Sequence, residues 1–176
     1  KADVLIETFR PGAMDKLGFG FEALSARNPR LIYCSAKGFL PGPYEHRTAL
    51  DEVVQMMSGL AYMTGPPGRP LRAGASVVDI MGGAFAAIAI QAALREREST
   101  GKGQIVTSAL YETAVFRGGQ HMMQQQVTGV AANPMPVRDP AWAIYDVFTC
   151  ADGAQVFVGV VTNTQWGAFC RDFGLD

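Results

Sequence analysis

Residues 76–109 read SVVDIMGGAFAAIAIQAALRERESTGKGQIVTSA, and the order of events along them decides the fold. An apolar run from Ile80 to Leu94 gives way to the charged REREST and then to Gly101, which predicts a helix over Ile80–Arg97 with a glycine stop. After a polar break, Gln104–Ala109 reads as a strand or extended run. A long helix passing straight into a strand is the step of an α/β chain. The unbroken apolar part is shorter than the roughly 18 residues of a membrane span. Gly82, Gly83 and Gln91 also interrupt it, so the expected setting is a protein core and no membrane.

The same alternation runs outward in both directions. Upstream, Val4–Glu7 and Leu31–Ala36 have the composition of buried strands, and Phe21–Arg27 lies between them as a short helix closed by Asn28-Pro29. Val53, Val54, Met57, Leu60 and Ala61 recur at helical spacing, which predicts one helix over Leu50–Tyr62. Downstream, Leu110–Gln126 is predicted helical. Residues 130–140, VAANPMPVRDP, hold three prolines and no periodicity, and read as a linker. Beyond it, Ile144–Thr149 and Gln155–Val160 flank Asp152-Gly153 as a hairpin, followed by a helix over Thr164–Phe173. The expected organisation is a large α/β domain over 1–129, the linker, and the start of a small α/β domain over 141–176. The opening Lys1-Ala2-Asp3 and the stop just past a helix are what an internal piece of a longer protein shows.

Apolar residues make up 48% of the 176 and charged residues 18%, so a packed core is expected and global disorder is not. A net charge of −1 argues against a general nucleic-acid surface. Cys34, Cys150 and Cys170 are odd in number and lack metal-ligand spacing, which predicts no disulfide framework, no metal site and a reducing cytoplasm. His46 and His121 stand alone and read as surface or satisfied histidines. No GxSxG, GxGxxG or P-loop occurs. Arg10, Lys16, Lys37, Arg47, Arg69 and Arg72 lie in loop-rich stretches; singly they are solvated charges, and together they can hold an anion.

Asp79 is the one acid at the mouth of the long helix. If Ile80 opens that helix, Asp79 is its N-cap, contributing about 0.5–2 kcal/mol. The sharper reading is a carboxylate nucleophile or base. The helix dipole contributes at most ~2 kcal/mol, which predicts a lowered pKa. Reactivity must then come from a partner held against it, since positioning supplies about 7–11 kcal/mol. Gly82 and Gly83 either open the helix start to a bulky ligand or allow tight packing.

Four blocks carry a resemblance: ADVLIETFRPGAMDKLGFGFEAL, NPRLIYCSAKGF, ALDEVVQMMSGLAYMTG, and GASVVDIMGGAFAAIAIQAALRERESTGKGQIVTSALYETA. In this order and spacing the chain resembles the class III CoA-transferases (the CaiB/BaiF family), and DPAWAIYDVFTCADGAQVFVGVV resembles the start of that family's small domain. The resemblance implies a Rossmann-like CoA-binding large domain, an interlaced homodimer, acyl-CoA and carboxylic acid substrates, and no resident cofactor. It implies that Asp79 attacks the thioester carbonyl to give an aspartyl–acyl anhydride. CoA thiolate then attacks the aspartyl carbonyl to give an aspartyl–CoA thioester, and an acceptor acid takes the CoA by the reverse steps. Thr8, Phe9, Arg10 and Lys16, and Thr48, Ala49, Leu50 and Asp51, match CoA-contacting positions. Thr8 replaces a common Asn, and Lys16 a common Arg, which costs the bidentate fork. Asp51 matches a commonly acidic position near the active site; its plain reading is the N-cap of its own helix. The α-methylacyl-CoA racemases of this family carry a His where this chain has Leu50. Leucine is neither acid nor base, so transferase ranks above racemase, with a non-catalytic binding fragment as the third reading.

Overall fold

The structure is a computed structural model that describes residues 2–138 and 140–175. Asp139 of the expected linker, with Lys1 and Asp176, lies outside the described residues. The chain divides into two compact units, Lys1–Val137 and Arg138–Asp176.

In the first unit, Val4–Glu7 (β1), Ile32–Lys37 (β2) and Ile105–Ala109 (β3) form a parallel sheet in the order β1-β2-β3. Register places Ile6 beside Cys34 and Cys34 beside Val106. Parallel strands need return crossovers. Ala13–Lys16 (α1) and Phe21–Arg27 (α2) supply the first. The second is made by Asp51–Met57 (α3), Leu60–Thr64 (α4) and Val77–Thr100 (α5). Leu110–Thr128 (α6) leaves β3 without a loop.

Alternation along β2 sends Ile32 and Cys34 to one face and Tyr33 to the other. The first face packs against Ala86, Ile90 and Ala93 of α5, flanked by Val4, Leu94 and Val106. Tyr33 meets Phe21 of α2 edge-on, with ring centroids 6.0 Å apart. Val54, Val78 and Ala114 join α3, α5 and α6 in a second cluster. Ile32, Val54 and Val78 are fully buried, each contributing about 1.5–3 kcal/mol. By length and composition α5 is apolar enough to cross a membrane. In this fold its Val78, Gly82, Ala86, Ile90 and Ala93 form a buried stripe against sheet and helices.

The α/β class expected from the sequence is the one observed, with four local corrections. The single helix expected over Leu50–Tyr62 is two, because Gly59 sits at φ +82° and breaks the ladder between α3 and α4. The long helix starts three residues earlier than Ile80, so Ser76 is the N-cap and Asp79 lies within the first turn. Asp51 is the first residue of α3, after Leu50 as N-cap, and does not cap its own helix. Residues 13–16, to which no element was assigned from the sequence, form α1. The GKG after α5 follows from a close approach: a Cβ on Gly103 would stand 2.0 Å from the Leu31 carbonyl oxygen.

In the second unit, Ile144–Thr149 (β4) and Gln155–Val160 (β5) pair antiparallel around Asp152-Gly153, with Gly153 at φ +84°. Asn163–Phe173 (α7) follows, capped by the Thr162 hydroxyl, which accepts from the Gln165 amide at 3.1 Å. The unit boundary falls inside the stretch read as a linker, which also contains a 3-10 turn over Met135–Val137.

Candidate active site

Ligands of parallel α/β sheets gather at the carboxyl ends of the strands. A cleft of about 350 Å³ opens there in the first unit. Thr8, Phe9, Arg10 and Pro11 follow β1, Ala36 and Lys37 end β2 with Gly38 just after it, Ser108 lies at the end of β3 and Leu110 opens α6; all line it. Arg47, Thr48 and Ala49 close one side, and Asp79, Gly82 and Gly83 form the α5 wall.

Of the residues singled out from the sequence, Asp79, Thr8, Phe9, Arg10, Thr48 and Ala49 thus share one cleft. Lys16, Leu50 and Asp51 are not among its lining residues. Lys16 is exposed on α1, Leu50 is 63% exposed ahead of α3, and Asp51 is buried behind the cleft wall. Three of the six loop cations, Arg10, Lys37 and Arg47, line the cleft. Arg47 also rests on Tyr44, its guanidinium carbon 4.6 Å from the ring centroid. Arg72 is instead ion-paired with Glu52.

The two glycines divide between the readings made of them. A Cβ on Gly82 would stand 3.1 Å from a Leu110 methyl, so Gly82 serves packing. A Cβ on Gly83 would meet nothing within 4 Å. Gly83 is one helical turn from Asp79 and leaves the space beside the carboxylate open.

Asp51 does not act where the sequence placed it. Its carboxylate reaches across to the start of α5 and accepts from the Val78 amide at 2.8 Å and the Asp79 amide at 3.1 Å. It caps the neighbouring helix through space, and Ser76, the N-cap by position, makes no side-chain cap bond. The pKa of Asp79 is raised, opposite to the helix-dipole expectation. Loss of hydration is the largest cause, followed by the charges of Asp51 and Glu52. The dipole is worth at most ~2 kcal/mol, and its orphan amides are already taken by Asp51. Asp79 is exposed as a residue and lines the cleft.

Sequence reasoning missed Glu7 and Ser35. Glu7, 5% exposed, accepts from the Ser35 hydroxyl at 2.5 Å, the Lys37 ammonium at 2.6 Å and the Phe9 amide at 2.8 Å. Lys37 also donates to the Phe9 carbonyl at 3.2 Å. The Thr8–Arg10 segment is thereby bolted to the end of β2. Burial is the largest influence on Glu7 and pushes its pKa up, but the three hydrogen bonds and the Lys37 charge together outweigh it and leave it lowered. A charged residue in an apolar strand was the available signal, since such a group needs a partner. His46 pairs with Glu45 at the surface, in keeping with the plain reading of that histidine.

Fold and cleft together define an α/β ligand-binding unit with an accessible carboxylate beside cationic loops. The model of CoA-transferase family III matches residues 1–176, and the chain belongs to that family. It is 44% identical over 155 residues to the acetyl-CoA:oxalate CoA-transferase of Acetobacter aceti, covering 86% of this chain and 40% of that relative. It is 35% identical over 176 residues to the succinate–glutarate CoA-transferase of Agrobacterium fabrum, covering 99% of this chain and 44% of the relative. A crystal structure of a CAIB/BAIF family protein from Brucella suis superposes with a TM-score of 0.85 at 36% identity, over 99% of this chain and 46% of that one. The chain spans less than half the length of these relatives.

Proposed function

We propose that the protein carrying this chain is a CoA-transferase and that Asp79 is its covalent carrier. In the first step an Asp79 carboxylate oxygen attacks the acyl-CoA carbonyl and expels CoA thiolate, forming an aspartyl–acyl anhydride. The thiolate attacks the aspartyl carbonyl, the donor acid leaves as a carboxylate, and an aspartyl–CoA thioester remains. An acceptor carboxylate expels the thiolate again, and thiolate attack on the acceptor's acyl carbon restores Asp79. Each step exchanges one acyl bond for another, so activation is conserved and no redox or metal chemistry is called for.

The observation that carries this reading is the single cleft joining Asp79, the open space at Gly83, and the cations Arg10 and Arg47, with Lys37 beside them paired to Glu7. The cations suit the phosphates of CoA. The raised pKa suits the nucleophile, because a carboxylate that has lost hydration beside the charges of Asp51 and Glu52 is more basic and attacks more readily. The named relatives act on oxalate, succinate and glutarate, which favours a small dicarboxylate as donor or acceptor. Closing the cleft against water, and an interlaced homodimer, complete the reading, since both acyl intermediates hydrolyse in water.

The test is hydroxylamine trapping with acyl-CoA present, followed by peptide mass spectrometry. A hydroxamate at Asp79, and its loss with turnover in Asp79→Asn, is the expected outcome. Full turnover in Asp79→Asn rejects the mechanism. Exchange of the α-proton in heavy water without an acceptor acid favours a racemase-like activity, against which Leu50 already counts.

A further inference from the structure

Behind the α5 wall lies a run of hydrogen bonds that joins α3 to the start of α5. Gln55 of α3 is fully buried and Asp51 is 3% exposed. The Gln55 carbonyl oxygen accepts from the Ala73 amide at 2.8 Å, which holds the loop leading into α5. The Gln55 amide nitrogen donates to Asp51 Oδ1, and Asp51 Oδ2 accepts from the Val78 and Asp79 amides. One side chain thus fixes the loop before α5 and, through Asp51, the first turn that bears Asp79.

We infer that Gln55 is a positioning residue for the Asp79 carboxylate, acting through Asp51 on the start of α5 without touching the cleft. The inference rests on the CoA-transfer reading of Asp79. Its physical basis is the directionality of the bonds. An amide offers an acceptor on one side and a donor on the other, and both are used here. Gln55 orients Asp51 so that one oxygen faces the α5 amides, as an outer partner orients a ligand that does the work. The neighbouring charges are Asp51 and Glu52 on α3, Arg72 paired with Glu52, and Arg117 of α6, which donates to the Val77 carbonyl at 2.9 Å. Gln55 is the neutral member that relates the Asp51 charge to the loop.

The bonding pattern can be inverted, which supplies the test. Gln55→Met keeps the volume and removes both bonds. Asp51→Asn keeps an acceptor for the α5 amides but turns an NH2 group against the Gln55 NH2. The double variant Asp51→Asn/Gln55→Glu rebuilds every bond at the same net charge, with donor and acceptor exchanged only between the two side chains, the backbone amides of Ala73, Val78 and Asp79 donating as before. Single-turnover acylation of Asp79 and the Kd for acyl-CoA are to be measured on the full protein. Gln55→Met and Asp51→Asn are expected to slow acylation about 10–100-fold, the size of a displacement near 1 Å. Acyl-CoA Kd should stay within about threefold, and the double variant should recover acylation to within about fivefold, a strong coupling. Wild-type acylation rates in Gln55→Met overturn the inference, as does a double variant that regains thermal stability while its acylation stays slow. No hydroxamate at Asp79 in the wild type brings down the CoA-transfer reading and this inference together. An adduct in the wild type with unchanged Gln55→Met kinetics brings down the inference alone.

Discussion

Glu7 and Asp79 are carboxylates with opposite environments, and pH separates them. Glu7 has a lowered pKa, so its ion pair with Lys37 stabilises the fold above the ordinary glutamate range, and that contribution is lost as pH falls through the folded pKa. Lys37→Met leaves a buried charge unpaired. We expect a loss of about 3 kcal/mol in urea denaturation at neutral pH, shrinking on acidification; this is the lower end for a broken buried pair, because Lys37 is partly exposed. Asp79 has a raised pKa, so the folded state holds its proton longer, and ionising it costs stability as pH rises through the window between unfolded and folded values. Asp79→Asn is therefore expected to raise Tm above that window while abolishing acylation, a pairing that calorimetry and hydroxamate trapping check together. The acid limb of the pH–rate profile should lie above the ordinary aspartate range. Asp79 was singled out in the sequence through the family resemblance, because an acid at an apolar helix start reads by itself first as a cap. The sign of its pKa shift was not legible there, because Asp51 arrives from another helix.

At the scale of elements, the start of α5 matters most. Its free face at Gly83 is a helix interior position with open space, so Gly83→Ala should stabilise the fold by about 0.5–1 kcal/mol through reduced backbone entropy. Gly83→Leu should instead fill the cleft, raising KM for acyl-CoA at least tenfold with little change in Tm. Gly59 sets the break between α3 and α4 at φ +82°, where a side chain is strained. Gly59→Ala is expected to cost about 1–2 kcal/mol by urea titration. The strands and most helices were legible from composition and period. The α3–α4 break was not, because helical spacing runs through Ser58-Gly59 without interruption and a single glycine does not reveal the sign of its φ.

For the whole molecule, the exposed apolar side chains point beyond the single chain. Phe116 is 71% exposed, Met123 62% and Val127 76%, all on α6, and Ile80 and Ile88 of α5 are 64% and 62% exposed. Sedimentation equilibrium of the full protein is expected to give a dimer, and Phe116→Asp to shift it toward monomer with a loss of activity. A monomer with full turnover would refute the dimer.

By itself, the sequence determined the α/β class, the helix that ends in GKGQ and the hairpin at Asp152-Gly153, because these depend on neighbours along the chain: period, caps and turns. Only the tertiary structure decided that Asp51 caps α5, that Gln55 holds the loop at Ala73, that Glu7 bolts the Thr8–Arg10 segment to β2, and that Gly83 rather than Gly82 faces open space. Those bonds join residues about 20–30 positions apart. Local pattern reports which groups need partners, and only the packed chain selects which partner each one meets.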